Sequence, residues 1–97
     1  MKHQDATKCL AELGHDTRLS IYRLLIKAGS DGMAVSELLA RLKIPGSTLS
    51  HHLHRLMQVN LVHQQREGRV LRCTANYVVV QEVIAYLMAE CCVGPDS

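Results

Sequence analysis

Ninety-seven residues of 47% hydrophobic composition suffice for one small domain, read here over residues 1–97, whose core is marginal and would gain from oligomerisation. Phe and Trp are absent and Tyr occurs three times, so the core is aliphatic, and single-strand nucleic-acid binding, which stacks bases on aromatic platforms, is disfavoured. The net charge of +2 conceals an asymmetry: residues 41–72 hold six Lys/Arg against one Glu, and the remainder is net −3. A basic segment of that kind suits phosphates.

The N-terminal MKHQDATK has no apolar run, and no stretch of eighteen apolar residues occurs anywhere. A signal peptide and a membrane span are therefore not expected, and a cytoplasmic chain with four reduced cysteines is.

In chain order, Ala6, Cys9, Leu10 and Leu13 recur at helical spacing and predict a first helix ending at Gly14. Asp16 or Thr17 can cap a second helix with Leu19, Tyr22, Leu25 and Ile26 as its stripe and Gly29 past its end. Ser36 can cap a short third helix carrying Leu38, Leu39 and Leu42. Ile44-Pro45-Gly46 breaks it, and a fourth helix starts near Ser47 with Leu49, Leu53 and Leu56 inward.

After Asn60 the period changes. Leu61 to Arg66 and Val70 to Thr74 read as two strands joined by the turn Arg66-Glu67-Gly68-Arg69. Tyr77, Val80, Ile84, Leu87, Met88 and Cys91 then return to helical spacing, with β-branched Val78 to Val80 equally able to extend the strand. Four helices, a hairpin and a helix make a mainly α chain with a two-stranded β-wing, the order of a winged helix-turn-helix domain.

In a helix-turn-helix the second helix enters the major groove. Ser47, Thr48, Ser50, His51 and His54 lie opposite Leu49, Leu53 and Leu56, and their polar side chains can reach base edges and phosphates. Arg55 is expected on phosphates, and Arg69 at the hairpin tip in a minor groove or on the backbone. His51 and His54 are spaced i, i+3 but have no carboxylate or cysteine within a turn, so zinc is the weaker reading. His52, nearer the apolar side, reads as a hydrogen-bonded core histidine.

LGHDTRLSIYRLL and AVSELLARLKIPGSTLSHHLHRLMQVNLVHQQREGRVLRCTAN together resemble the ArsR/SmtB family of dimeric bacterial repressors over nearly the whole chain. The sharpest matches are Ser50-x-His52-Leu53-x-x-Leu56 leading into Asn60-Leu61-Val62, and the Arg66 to Arg69 wing. Val59-Asn60 stands where members usually have Ala-Gly, which keeps a residue tolerant of positive φ at the helix end. The resemblance implies a homodimer on a pseudo-palindromic double-stranded operator, released when a ligand binds.

Many members sense metals through cysteines in the third helix or through Asp, His and Glu on the last. Val35 to Leu42 has no Cys, and Tyr77 to Ala89 has no His and only Glu82 as an acid. Sulfur remains: Cys9, Cys73, Cys91 and Cys92. Thiolates select thiophilic ions, and trivalent arsenic takes two or three of them. Cys73 with Cys91-Cys92 resembles the atypical arsenical-responsive branch of the family, with As(III) or an organic trivalent arsenical as inducer and no required cofactor. A final helix of about fifteen residues is roughly 22 Å long, so the expected site joins Cys73 of one subunit to Cys91 and Cys92 of the other. The bland readings are core packing for Cys9 and Cys73 and a dimer-facing stripe for Cys91.

A thiol-redox or persulfide switch on the same fold is the alternative. Cys-x-x-Cys, paired catalytic carboxylates, a Gly-rich phosphate loop and Ser-His-Asp spacing are all missing from the sequence, so nothing in it supports an enzyme.

Overall fold

The computed structural model describes residues 1–95; residues 96 and 97, included in the single-domain reading, lie outside the described residues. Five helices and a small sheet follow the chain as α1 (His3–Leu13), α2 (Asp16–Ala28), β1 (Met33–Ala34), α3 (Val35–Leu42), α4 (Gly46–Gln58), β2 (Val62–Glu67), β3 (Val70–Ala75) and α5 (Tyr77–Met88). The sheet is antiparallel in the order β1-β3-β2, so the expected two-stranded wing is a three-stranded sheet. A two-residue strand is too short to show alternation in sequence, and β1 is recognised only by its pairing of Met33 with Cys73 and Ala34 with Arg72.

Two helix starts differ from expectation, and a third, that of α4, falls beside Ser47 as expected. His15, not Asp16 or Thr17, caps α2, its Nδ1 accepting from the Thr17 N–H at 3.2 Å. Helix α3 begins before Ser36, and Glu37 turns back to accept from the Ala34 N–H at 3.3 Å. Pro45, whose fixed φ suits a helix entry, precedes α4, which starts at Gly46.

The core gathers Ile21, Tyr22 and Leu25 of α2, Leu38 of α3, Leu49, Leu53 and Leu56 of α4, Leu61, Val62 and Cys73 of the sheet, and Val83 of α5. Leu19 and Ile26, assigned to the α2 stripe, are exposed, while Ile21 is buried with Leu25 one turn on. Asn60 takes φ 62° at the end of α4, the left-handed conformation that the sequence allowed for. Its carbonyl accepts from Asn76 Nδ2 at 2.9 Å, tying the entry of the wing to the start of α5.

Candidate functional site

Lys43 ends α3 in the left-handed conformation with φ 54°, its N–H on the Leu39 carbonyl at 2.9 Å. Ile44 and Pro45 complete a tight corner into α4. Along α4, Leu49, His52, Leu53 and Leu56 are buried, and Ser47, Ser50, His51 and His54 form one exposed face at helical spacing. Thr48 is half-buried on the flank of that face.

The wing closes at Gly68-Arg69, with Gly68 at φ 61° in the first central position that a tight hairpin reserves for glycine. Arg69 and Arg66 are exposed there, and among the described residues neither makes a salt bridge. Arg72 is different: it meets Glu67 at 3.4 Å and the Asp31 carbonyl at 3.2 Å.

Arg55 has a partner within the chain. Its Nε and Nη2 donate to the two carboxylate oxygens of Glu12 in α1 at 2.7 and 2.8 Å. The basic segment therefore offers Arg41, Lys43, Arg66 and Arg69 as cations without a salt bridge among the described residues, with Arg55 and Arg72 already matched. His52 is 7% exposed and touches Arg18 Nη1 through Nδ1 at 3.2 Å, the packed and hydrogen-bonded histidine expected of it. Burial, then the nearby His15 and Arg18, hold its pKa below the ordinary value. Glu12, Arg18 and His15 escaped the sequence reading. The one signal was that Glu12 falls three residues after Cys9, on the buried side of α1.

The thiols divide into two pairs. Cys73 has no exposed surface and sits on the central strand two residues before its end, between Met33 and Gln64. Burial pushes its pKa up, against a weaker opposing contact from Gln64 Nε2 at 3.6 Å. Cys9 is also buried, and burial followed by Asp5 and Glu82 raises its pKa. Cys91 and Cys92 are exposed in a turn beyond α5, which ends at Met88, and their Sγ atoms are 2.8 Å apart. That contact raises the Cys91 pKa, since a shared proton holds the thiol neutral. The structure thus brings Cys91 and Cys92 together and leaves Cys73 in the core. Among the described residues no group of three or more His, Cys, Asp or Glu is placed to hold a metal ion.

An apolar surface lies on α5 and continues past it: Val78, Ile84, Leu87, Met88 and Val93 are all exposed, as is Leu10 of α1. His3 of α1 and Tyr86 of α5 hydrogen-bond beside it. No helix among the described residues is long and apolar enough to cross a membrane.

An exposed polar face on the second helix of a tight helical pair, flanked by a basic hairpin, defines a winged helix-turn-helix DNA-binding domain. A family model described as a helix-turn-helix domain matches residues 13–65, and the chain belongs to that family. It is 37% identical over 67 residues to an uncharacterized HTH-type transcriptional regulator of Methanocaldococcus jannaschii, across 69% of this chain and 73% of the relative. Among solved structures it is similar to an ArsR-like transcriptional regulator from Rhodococcus sp. RHA1, at 25% identity and a TM-score of 0.74, over 88% of this chain and 77% of that one. Reduced HlyU from Vibrio cholerae follows at 28% and 0.69, over 92% and 90%. The transcriptional repressor PagR of Bacillus anthracis stands at 27% and 0.71, over 87% and 93%. The chain is a transcriptional regulator of the ArsR/SmtB kind.

Proposed function

We propose that this regulator represses transcription as a homodimer on a pseudo-palindromic operator, and that a thiophilic ligand, a trivalent arsenical, releases it. The observation that carries the ligand reading is the exposed pair Cys91 and Cys92, with sulfurs 2.8 Å apart. Two adjacent sulfurs suit an organic arsenical, whose carbon substituent occupies the third position around arsenic. Arsenite, which takes three thiolates, would need Cys73 as well, and that sulfur becomes available only if the sheet parts. Dimerisation is supported by the exposed Ile84, Leu87 and Met88 on α5. DNA docking is supported by the Ser47, Ser50, His51 and His54 face with Thr48 at its flank, and by Arg69, which makes no salt bridge among the described residues. Arg55 reaches a phosphate only by sharing its guanidinium with Glu12.

A thiol-redox switch would use the same exposed pair. The relative HlyU was characterised in a reduced form, which gives that second reading a specific footing.

The test is release from a labelled duplex, selected from a randomised pool by the wild-type protein. Phenylarsine oxide should release it at about one equivalent per chain, arsenite less readily, and Cys91→Ser should bind the duplex but not respond. Release by peroxide alone, reversed by dithiothreitol, would favour the redox reading. Failure of the pool to yield any bound duplex would remove the DNA assignment itself.

A further inference from the structure

Two cations, the half-buried Arg18 and the exposed Arg55, converge on one carboxylate. Glu12 is 9% exposed on α1. Arg55 of α4 clasps both its oxygens, at 2.7 and 2.8 Å. Arg18 of α2 donates through Nε to the Glu12 carbonyl at 2.7 Å and lies 3.5 Å from its Oε2. The same guanidinium extends Nη1 to His52 of α4 at 3.2 Å. Three helices therefore meet in one charged cluster, and two of its four members belong to the helix whose outer face carries Ser47, Ser50, His51 and His54.

A guanidinium can only donate, so His52 Nδ1 must accept, and the ring must be neutral with its proton on Nε2. The groups around that ring leave little room for another charge. From α1 comes Glu12, already shared by two guanidiniums. From the start of α2 come Arg18 and His15, whose ring centre lies 4.8 Å away. From α4 come Arg55 and His51, the latter with its ring centre at 5.7 Å. Protonating His52 would turn the Arg18 contact from a hydrogen bond into a clash of two cations and leave one carboxylate against three positive groups.

We infer that Glu12, Arg18 and Arg55 are positioning residues that hold α4 at its DNA-binding angle, and that DNA binding requires the neutral ring of His52, so affinity falls on acidification. This rests on the DNA-binding reading of α4. The sign is the informative part. His51 and His54 are exposed on the face proposed to meet DNA, where positive charge near phosphates favours binding. The buried histidine acts in the opposite direction, on the same helix.

The experiment separates the two. A labelled duplex selected by the wild-type protein at pH 7.5 is titrated from pH 8 to pH 5 with wild type, His51→Gln/His54→Gln, and that pair combined with His52→Asn, whose amide oxygen stands where Nδ1 accepts. Circular dichroism at each pH confines the comparison to folded protein. The double variant should lose affinity on acidification, approaching about tenfold per pH unit per chain as one obligatory deprotonation demands. His52→Asn should flatten that profile. Should His52→Asn fail to fold, ring-proton NMR of wild type supplies the second measurement. His52 should then titrate below the ordinary histidine value of 6.5, with α4 amides shifting at the same midpoint. At pH 7.5, Glu12→Gln should weaken binding by about tenfold with the pH profile retained. A double variant whose affinity is flat or rises toward pH 5, or a His52 ring that titrates at or above the ordinary 6.5 with α4 unmoved, overturns the inference. Either result is read against wild-type binding at pH 7.5, whereas failure of the wild type to select any duplex there would instead strike at the DNA-binding reading.

Discussion

Gly32 lies so close to Cys73 that a Cβ built on it would stand 2.1 Å from the Cys73 carbonyl oxygen. Its φ of 65° is also one that L side chains rarely adopt. Both constraints come from the short strand β1, which Gly32 delivers against the central strand beside the buried thiol. Gly32→Ala should therefore destabilise the chain by on the order of 3 kcal/mol, through backbone strain and a clash that no side-chain rotation relieves. Thermal denaturation would measure it. A change within about 0.5 kcal/mol would mean that β1 is not held as described.

The same burial makes thiol chemistry selective. With the native protein, a disulfide reagent should modify Cys91 and Cys92 quickly, and Cys9 and Cys73 only as fast as the chain opens. Phenylarsine oxide should protect the fast pair. Mass mapping of the labelled cysteines checks both statements. Rapid labelling of Cys73 would show that the sheet parts readily, and would revive a three-sulfur arsenite site.

Much of this arrangement was legible in the sequence because it rests on local periodicity. Leu49, Leu53 and Leu56 mark the buried face of α4, and Gly68 and Asn60 mark positive-φ positions. The pieces that were not legible depend on contacts distant in sequence. Glu12 and Arg55 are 43 residues apart, and nothing in either segment alone says that one neutralises the other. Likewise, alternation places Cys73 on a strand, but only the added β1 makes that strand central. Cys91 was expected on the last helix, and the positive φ values of Glu90 and Cys92 put the pair in a turn beyond it instead.

Stability should fall on both sides of neutrality. His52 is held below its ordinary 6.5 chiefly by burial, so the unfolded chain takes that proton first, and stability is lost as pH drops below 6.5 toward the folded value. Glu12 is held below 4.5 chiefly by its hydrogen bonds to Arg55, and a second loss follows as pH falls through its folded value. On the alkaline side, burial pushes Tyr22 up to about 12, so stability is lost from pH 10 toward that value. The Tyr22 hydroxyl is buried without a hydrogen-bond partner among the described residues. Tyr22→Phe should therefore be neutral or stabilising by up to about 1 kcal/mol, and should remove the Tyr22 part of the alkaline loss. Urea melts from pH 3 to pH 12 test all three. A marked destabilisation by Tyr22→Phe would mean that the hydroxyl has a partner.

Ile84 is 55% exposed at the centre of the apolar surface that α5 presents. In the proposed homodimer it is buried, and a carboxylate there would be desolvated without a partner. Ile84→Asp should weaken self-association by at least about tenfold, and operator binding with it, because two half-sites can no longer be engaged together. Sedimentation of wild type and variant at micromolar concentration decides the matter. A wild type that sediments as a monomer would remove the dimer from the proposal.

Arg69 stands at the tip of the wing, next to a glycine that sets the turn and without a salt bridge among the described residues. A cation held on a tight two-residue hairpin has little to lose on meeting a phosphate, since no existing ion pair must break. Arg55 is the opposite case, because contact with DNA would compete with its two bonds to Glu12. Arg69→Ala should therefore reduce affinity for every duplex, selected or random, by a similar factor, and lower the slope of log affinity against log salt by about one. Arg55→Ala should behave differently, lowering thermal stability together with DNA binding by leaving the Glu12 carboxylate with Arg18 alone. Ser50→Ala and His51→Ala should change which duplexes are preferred and leave the salt slope nearly unaltered for serine. Anisotropy titrations at several salt concentrations distinguish these outcomes. If Arg69→Ala and Ser50→Ala both bind the selected duplex as wild type does, neither the wing nor the exposed face of α4 is the surface that meets DNA.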